Sequence, residues 1–490
     1  MYLSGSGKHD FVFLRVRIIS ICDLEVFMNF FKSLLSLILL ITVVACNSEG
    51  QLNASSPLNV TDVISGPKDL PNHKKYRDFI KTPLRDLKVT EEMTLVDNFS
   101  DVLRYHHVHT KGKAREDDGM VEFYSSKINF ETCVPSLSRT FVVDDNNAPN
   151  TGAYTNFCHN MIAHRFLVNP EKNVGDYKAI IQYWLDNKTL ESANKTQRNF
   201  GQSSNDYAYS ISTNVAKVMA HFALYHPLYG YSAEEMQSIE EMFETFAKTY
   251  DYYRGVANGG SYFAKLCNLK NPTVPHGTND HCGSYNTRMA VGATLLGIEL
   301  GNQVIFDKGI QHVEVMLATF DSNKMYTSQI WRHDGLSYAD QVNPAIDQLD
   351  YAFDKAFGID FAKLKNAHGV TPGEVYQHMW NVANDPTLLL PYMNYKKRLD
   401  PQFYANTNDY DGQDMFKVIR DIETEQKKPE YIWQAFNERR YILSAPALAR
   451  EFQPELWRKW KNRVQFRDYD YGGHITGFSL LVLRNATQRF

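Results

Sequence analysis

Apolar residues recur at helical spacing through the middle of the chain, and this pattern constrains the fold more than any other feature. In SAEEMQSIEEMFETFAKTY they lie three or four positions apart, and Ser232 with Glu235 forms the signature of a helix capping box. In ISTNVAKVMAHFALYHP the same spacing predicts a helix with one apolar face that stops at Pro227. Similar patterns recur at 177–186, 287–300, 304–320, 346–358, 373–384 and 429–442.

Strand-like alternation is scarce, and GFSLLVLR near the C-terminus is the best candidate. Many helices of middle length with short connections, and no repeat of fixed period, indicate paired helices. A layer of this size must curve to bury its faces, which favours an all-α solenoid or an (α/α) toroid or incomplete barrel of about six to seven helical hairpins, with little β structure. No shift in composition marks a boundary, so we expect a single domain over 76–490.

The N-terminal region has the pattern of an export signal. MNFFKSLLSLILLITVVACN begins at Met28, carries Lys32 and an apolar run, and ends in Val-Val-Ala-Cys46, which resembles the lipobox of bacterial lipoproteins. We therefore expect 1–45 to be an over-long start plus a signal peptide, and 46–75, rich in proline and polar residues, to be a tether. Lipid attached to Cys46 would hold the exported protein at the outer membrane, in the periplasm or at the cell surface. A plain signal peptide is the alternative.

Four further cysteines suit disulfides in an oxidising compartment. They allow three pairings, and local spacing favours Cys133–Cys158 and Cys267–Cys282. No spacing typical of zinc ligands is present, and HHVH at 106–109 is better explained as a solvated edge than as a metal site. The net charge of −4 gives no basic surface for nucleic acid.

Two polar stretches stand out as a candidate site. GTNDHCGSYNTRMAVGATLLG places Asn279, Asp280 and His281 on a loop that leads into a helix, and helix capping would use only one of them. About one helical hairpin later, FDSNKMYTSQIWRHDGLSYADQ carries Arg332 and Tyr338. Successive hairpins of a toroid would bring both stretches to the same end. The structural alternatives are a surface ion pair for Arg332 and a core position for Tyr338.

These two stretches resemble the toroid-fold alginate and related uronan lyases over about 275–345. That family carries an Asn-His motif at the start of an inner helix, and then an acid or amide, two residues, an arginine, and Leu-x-Tyr. The matching residues here are Asn279 and His281, then Gln329, Arg332 and Leu336-Ser337-Tyr338. The chain departs from the pattern where Asp280 separates Asn279 from His281, and where Gln329 replaces an acid. Tyr351 is a second candidate for the family's tyrosine, and we prefer Tyr338.

The resemblance implies cleavage of a 4-linked uronan by β-elimination, without a metal or another cofactor. Arg332 and Asn279 would bind the sugar carboxylate and stabilise the charge that develops when the C5 proton leaves. Tyr338 would act as base and then as acid on mannuronate, and His281 would be the base on guluronate. The expected substrate is alginate, with polymannuronate preferred, or glucuronan.

Other residues are candidates for substrate binding. Arg198, Asn199 and Gln202 lie on a polar loop before an apolar helix, and helix capping is the alternative role for them. Tyr285 and Trp331 offer rings on which a sugar can stack. Two other functions remain open. One is an α/α-barrel glycoside hydrolase acting on uronic-acid oligosaccharides with Asp280 and Asp334, and the other is a glycan-binding lipoprotein without catalysis.

Overall fold

The structure is a computed structural model. It describes residues 84–97, 170–188 with 190, 215–249, 284–320, 322–326, 342–366, 368–385 with 388, and 438–461. All of them belong to one compact unit, Leu58–Phe490. The predicted signal peptide, the tether over 46–75, the HHVH stretch and the strand candidate GFSLLVLR lie outside the described residues.

Most of the described residues are helical. The helices are α1 Pro170–Asp186, α2 Ala216–Tyr229, α3 Ala233–Thr249, α4 Ser284–Glu299, α5 Gln303–Ala318, α6 Val342–Phe357, α7 Pro372–Asn384, α8 Glu438–Ser444, α9 Pro446–Phe452 and α10 Pro454–Trp460, with short 3-10 helices at Leu84–Asp86 and Phe361–Lys363. Within these residues there is no β-strand, and Phe320 and Tyr326 form an isolated antiparallel bridge. The prediction of a helical fold is confirmed for the described part of the chain.

The predicted start of α3 is confirmed in atomic detail. The backbone N–H of Ser232 donates to the Glu235 carboxylate at 2.7 Å, and the N–H of Glu235 donates to the Ser232 hydroxyl at 3.2 Å. These bonds satisfy two of the N–H groups that a helix leaves without partners at its start. The apolar stripe behind the cap buries Ile239, Phe243 and Phe246, as the spacing predicts.

Two predictions about α2 are wrong. The helix does not stop at Pro227 but continues to Tyr229, where Gly230 adopts a left-handed conformation with φ 61°. Proline has no N–H to donate to the Ala223 carbonyl. The His226 ring interacts with that carbonyl, and its Nδ1 atom lies 3.1 Å from the carbonyl oxygen of Phe222. Nor does the helix have one apolar face, because every residue over 216–225 is buried.

Helices α4 and α5 form a tightly packed antiparallel hairpin. A Cβ atom added at Gly297 would overlap the backbone of Phe306, and one added at Gly309 would overlap the backbone of Thr294. Since only glycine permits so close an approach, the two helices are in backbone contact along the hairpin. Asn302 begins α5 by accepting hydrogen bonds from the N–H groups of Val304 and Ile305, each at 3.1 Å.

Helix α2 runs beside α4 in the same direction. A Cβ at Gly292, in the middle of α4, would overlap the carbonyl of Ala216 at the start of α2. At the α4–α5 turn, the Asn302 amide donates to Glu240 and Glu244 of α3, at 2.8 and 2.9 Å. On this part of α3, Phe243 packs against Phe222 of α2 with ring centroids 5.9 Å apart. Helix α2 therefore advances toward the C-terminal end of α4.

Helix α6 packs against α4 and also runs in its direction. Phe357, the last residue of α6, packs against Phe306 near the α4–α5 turn, with ring centroids 5.5 Å apart. The hydroxyl of Tyr351 donates to the Leu95 carbonyl at 2.6 Å, and the N–H of Leu95 donates to Glu299 at the end of α4 at 2.7 Å. The C-terminal half of α6 thus lies beside the C-terminal end of α4.

Helices α4 and α6 therefore begin at the same end of a layer, which we call the entry end, whereas the described part of α2 begins beside the middle of α4. The entry end comprises the first two turns of α4 and α6 and the last two turns of α5, which runs the other way. The end that holds the α4–α5 turn, Leu300–Asn302, is called the turn end. Helix α3 packs against α5.

Residues 84–97 form a segment that packs across the turn end. The N–H of Val89 donates to the Gln303 side chain, whose amide donates to the Leu87 carbonyl, both at 3.2 Å. Farther along, Leu95 bonds to Glu299 and Tyr351 as described above, and Asp97 accepts from Lys355 at 2.7 Å. The segment thereby joins the α4–α5 hairpin to α6.

The Glu299 carboxyl gives this contact a dependence on pH. Burial raises its pKa to about 7, against the smaller opposing effect of hydrogen bonds from Leu95 and Thr94. The Glu299 carboxyl binds a proton more tightly in the folded state than in the unfolded chain. The contribution of Glu299 to the free energy of unfolding therefore falls as the pH rises from about 4.5 to about 7. We expect Glu299→Gln to be more stable than the wild type above pH 7, by on the order of 1 kcal/mol, and to lose this advantage near pH 4.5.

Denaturant unfolding at several pH values measures this difference. Glu455→Gln removes one exposed charge and serves as the control. A difference between Glu299→Gln and the wild type that stays constant from pH 4.5 to 7.5 would contradict the expectation.

Candidate functional site

Most of the predicted site residues lie outside the described residues. They are Asn279, Asp280, His281, Arg332, Asp334, Tyr338, Gln329, Trp331, Arg198, Asn199 and Gln202, together with Cys46, Cys133, Cys158, Cys267 and Cys282. Of Tyr285 the structure describes the backbone, as the second residue of α4. Tyr351 is described in full.

His281 and Tyr338 can be related to the entry end only through their positions in the chain. His281 precedes Ser284, the first residue of α4, by three positions, and Tyr338 precedes Val342, the first residue of α6, by four. Consecutive Cα atoms are 3.8 Å apart, so these Cα atoms lie within about 11 Å and about 15 Å of the helix starts. Because α4 and α6 begin at the same end, both stretches of the motif are attached to that end.

Tyr351 lies at the turn end. Its hydroxyl donates to the Leu95 carbonyl, and its ring packs against the hydrophobic core. Helix α4 has 16 residues and is therefore roughly 24 Å long. Tyr351 is thus near the end of α4 that is farther from His281.

The entry end concentrates buried polar side chains within an otherwise apolar layer. Each of these side chains is less than 9% exposed, and they come from three helices. They are Asn286, Thr287 and Arg288 of α4, His312 and Glu314 of α5, and Asn343, Asp347 and Gln348 of α6. Buried polar and charged groups are costly to fold, and their concentration at one end is typical of a functional region.

Asn286 and His312 form a two-point contact between α4 and α5 at this end. The Asn286 amide nitrogen donates to the His312 backbone carbonyl at 2.9 Å, and its oxygen lies 2.9 Å from Nδ1 of the His312 ring. Because the amide oxygen can only accept, Nδ1 of His312 carries a proton. Asn286 and His312 are 0% and 1% exposed, so this contact is shielded from water.

His221 belongs to an aromatic cluster that packs α2 against α1. The Tyr229 hydroxyl bonds to Nε2 of His221, and the Tyr177 ring stacks on the His221 ring with centroids 4.1 Å apart. Burial raises the pKa of both Tyr177 and Tyr229, so both phenols stay protonated. This arrangement packs the helices together.

Two acids of α6 serve as anchors for other elements. Asp347 accepts from the N–H of Leu448 in α9 at 2.9 Å, and Asp350 accepts from the N–H of Ala362 in the second 3-10 helix at 2.8 Å. Burial raises the pKa of Asp347 well above its usual range and that of Asp350 to about 7. Each carboxyl thus caps a short helix, which is a structural role.

The buried polar set of the entry end was not predicted from the sequence. Asn286, Thr287 and Arg288 follow one another in an otherwise apolar helix, and that interruption is the one signal the sequence offered. In the part of the chain that the structure describes, no group of three or more His, Cys, Asp or Glu residues is placed to hold a metal ion. The same part contains no helix of sufficient length and apolar character to cross a bilayer.

No family model, no curated protein and no solved structure matches the chain. A function is therefore inferred from the sequence motifs and the geometry of the entry end.

Proposed function

We propose that the protein is a polysaccharide lyase that cleaves 4-linked uronans by β-elimination, with alginate as the expected substrate and polymannuronate preferred. The observation that carries the proposal is the common direction of α4 and α6. It attaches the stretch with Asn279 and His281, and the stretch with Arg332 and Tyr338, to the same end of the helical layer.

The helix arrangement supports an (α/α) toroid or an incomplete barrel. Helices α2, α4 and α6 run parallel in one row, and α5 returns antiparallel to α4 and packs against α3. Parallel inner helices, each followed by an antiparallel outer helix, are the repeating unit of such folds. A toroid of this kind would gather the loops before the inner helices around one cleft.

The chemistry assigns a separate role to each residue of the motif. Arg332 and Asn279 bind the uronate carboxylate and stabilise the negative charge that spreads onto it when the C5 proton is removed. Tyr338, as the phenolate, takes this proton from mannuronate and then donates it to the departing O4 oxygen. On guluronate, where the proton and the leaving oxygen lie on opposite faces, His281 takes the proton and Tyr338 donates. The step leaves a C4–C5 double bond and needs no cofactor.

The electrostatics of the entry end favour an anionic substrate. Two parallel helices, α4 and α6, begin there, and the N-terminal end of a helix carries partial positive charge. Arg288 is buried at the same end, with Glu314 as an opposing charge. A positive potential at this end would attract uronates and lower the pKa of a nearby tyrosine.

The position of Tyr351 supports Tyr338 as the catalytic tyrosine. The Tyr351 hydroxyl donates a hydrogen bond to the Leu95 carbonyl at the turn end, whereas Tyr338 is four residues before the start of α6, at the entry end. The rings of Tyr285 and Trp331, with Gln329, Arg198, Asn199 and Gln202, are proposed to bind neighbouring sugars of the polymer.

The export pattern at the N-terminus supports a location outside the cytoplasm. We propose that Cys46 is lipidated and inserts its acyl chains in the outer membrane, so that residues 46–75 tether the enzyme near its polymeric substrate. A location in the periplasm or at the cell surface suits an enzyme that degrades a large extracellular polysaccharide.

Ultraviolet absorbance during digestion tests the proposed reaction. A β-elimination places a double bond in conjugation with the carboxylate, so incubation with polymannuronate should raise the absorbance steadily. Polyguluronate and glucuronan complete the substrate panel, and the length of the products is followed in parallel.

Other outcomes would replace the proposal. Shortened chains without an absorbance change would indicate a glycoside hydrolase, which uses two carboxyl groups and yields saturated products. Binding to a uronan without cleavage would indicate a non-catalytic glycan-binding lipoprotein.

A further inference from the structure

We propose that Asn286 is a positioning residue that holds the first turn of α4, and hence the stretch with Asn279 and His281, in the geometry that catalysis requires. This inference rests on the proposed function. The buried Asn286 amide would not contact the substrate, and it would affect the rate of the chemical step through the residues that it positions.

The start of α4 needs an external partner to be held in place. The first four N–H groups of a helix have no acceptor inside it, so the first turn is the part of a helix that most readily frays. Asn286 is the third residue of α4. Its two hydrogen bonds, both 2.9 Å, tie this turn to the backbone and to the ring of His312 in the neighbouring helix.

Two close backbone contacts between α4 and α5 lie farther along the hairpin. Thr294 meets Gly309 two turns beyond Asn286, and Gly297 meets Phe306 near the turn end. These backbone contacts fix the middle and the far end of α4. The Asn286–His312 pair is a polar contact that joins the near end of α4 to α5.

A displacement at Asn286 is passed directly to the proposed catalytic residues. His281 is five positions upstream of Asn286, and His281 and Asn279 both enter the helix through its first turn. A shift of about 1 Å in a catalytic group can lower the rate of reaction about 100-fold. The amide is suited to hold this position because it satisfies both a carbonyl and a ring N–H, whereas a carboxylate could satisfy only the ring.

The test compares Asn286→Ala with Asn302→Ala. Asn302 is an asparagine of the same hairpin that caps α5 at the turn end, so its loss weakens the hairpin without affecting the entry end. We expect Asn286→Ala to lower kcat on polymannuronate about 10- to 100-fold, with KM changed by no more than about twofold. Asn302→Ala should lower Tm yet keep a kcat near that of the wild type at temperatures where it is folded.

Hydrogen exchange supplies a measurement that does not depend on activity. Asn286→Ala should speed exchange of the backbone amides over 279–288, and Asn302→Ala should not. If Asn286→Ala does not fold, Asn286→Ser replaces it, because serine is uncharged and polar but too short to reach both the carbonyl and the ring of His312. Its kcat should still be below that of Asn302→Ala.

Equal kcat values for Asn286→Ala and Asn302→Ala, or unchanged exchange over 279–288 in Asn286→Ala, would overturn the positioning role. A wild-type protein that releases no unsaturated product from any uronan would instead overturn the proposed function, and with it the effect on kcat. In that case the exchange rates still decide whether Asn286 holds the start of α4.

Discussion

Tyr338→Phe is expected to abolish the release of unsaturated product from polymannuronate, with kcat lower by about 1,000-fold. One hydroxyl serves as base and then as acid in the proposed reaction, and general acid–base catalysis contributes about 10² to 10⁴ to the rates of enzymes. The phenylalanine ring keeps the shape of the side chain, so the fold and the binding of polymer should be retained. Initial rates of absorbance change, with circular dichroism as a check of folding, measure the effect.

Tyr351→Phe is the matched control. It removes the same hydroxyl at the turn end, where the group donates to the Leu95 carbonyl. The loss of one such hydrogen bond should lower stability by about 1 kcal/mol and leave the rate of elimination near that of the wild type. If Tyr338→Phe keeps a near wild-type rate while Tyr351→Phe loses activity, the catalytic role belongs to Tyr351.

Gly292→Ala is expected to lower the free energy of unfolding by about 2 kcal/mol. The added Cβ would overlap the Ala216 carbonyl, which is backbone and cannot rotate away. Helices α2 and α4 would have to separate, and overpacking of this kind costs about 3 kcal/mol. The gain of about 1 kcal/mol from replacing a helical glycine with alanine offsets only part of that cost. Thermal and denaturant unfolding measure the change.

Gly175→Ala makes the same chemical change without the steric conflict. Gly175 lies in α1, and no heavy atom is within 4 Å of its added Cβ. This variant should gain about 0.5–1 kcal/mol from the helix propensity of alanine. A Gly292→Ala protein as stable as Gly175→Ala would show that α2 and α4 do not pack as closely as described.

The helices were predictable from the sequence because they depend on local signals. The apolar spacing located α3 and α5, and the capping box of Ser232 and Glu235 fixed the start of α3. The prediction failed at Pro227, because the compensation comes from a neighbouring side chain, His226, whose ring bonds to the carbonyls near the proline. It also failed for the faces of α2, since burial on every side is decided by tertiary packing against α1, α3 and α4.

For the candidate site, the sequence led to the hypothesis that two stretches carry the chemistry at one end of the layer, and this stays a prediction because both stretches lie outside the described residues. The parallel course of α4 and α6 supports that hypothesis. The pairing of Asn286 with His312 was not predictable, because an asparagine inside a helix gives no sign of its partner 26 residues away. The same holds for Lys217 and Arg288, whose burial depends on tertiary packing.

The segment over 84–97 has a consequence for the order of folding. Leu95 forms hydrogen bonds with Glu299 and Tyr351, which are 204 and 256 residues later in the chain. Asp97 forms an ion pair with Lys355, which is 258 residues later. Closing loops of this length carries an entropic cost that only finished helices can repay. We expect these residues to leave the ribosome before their partners and to dock late, so that a nascent chain synthesised only as far as Glu299 holds Leu95 and Asp97 without their contacts to Tyr351 and Lys355.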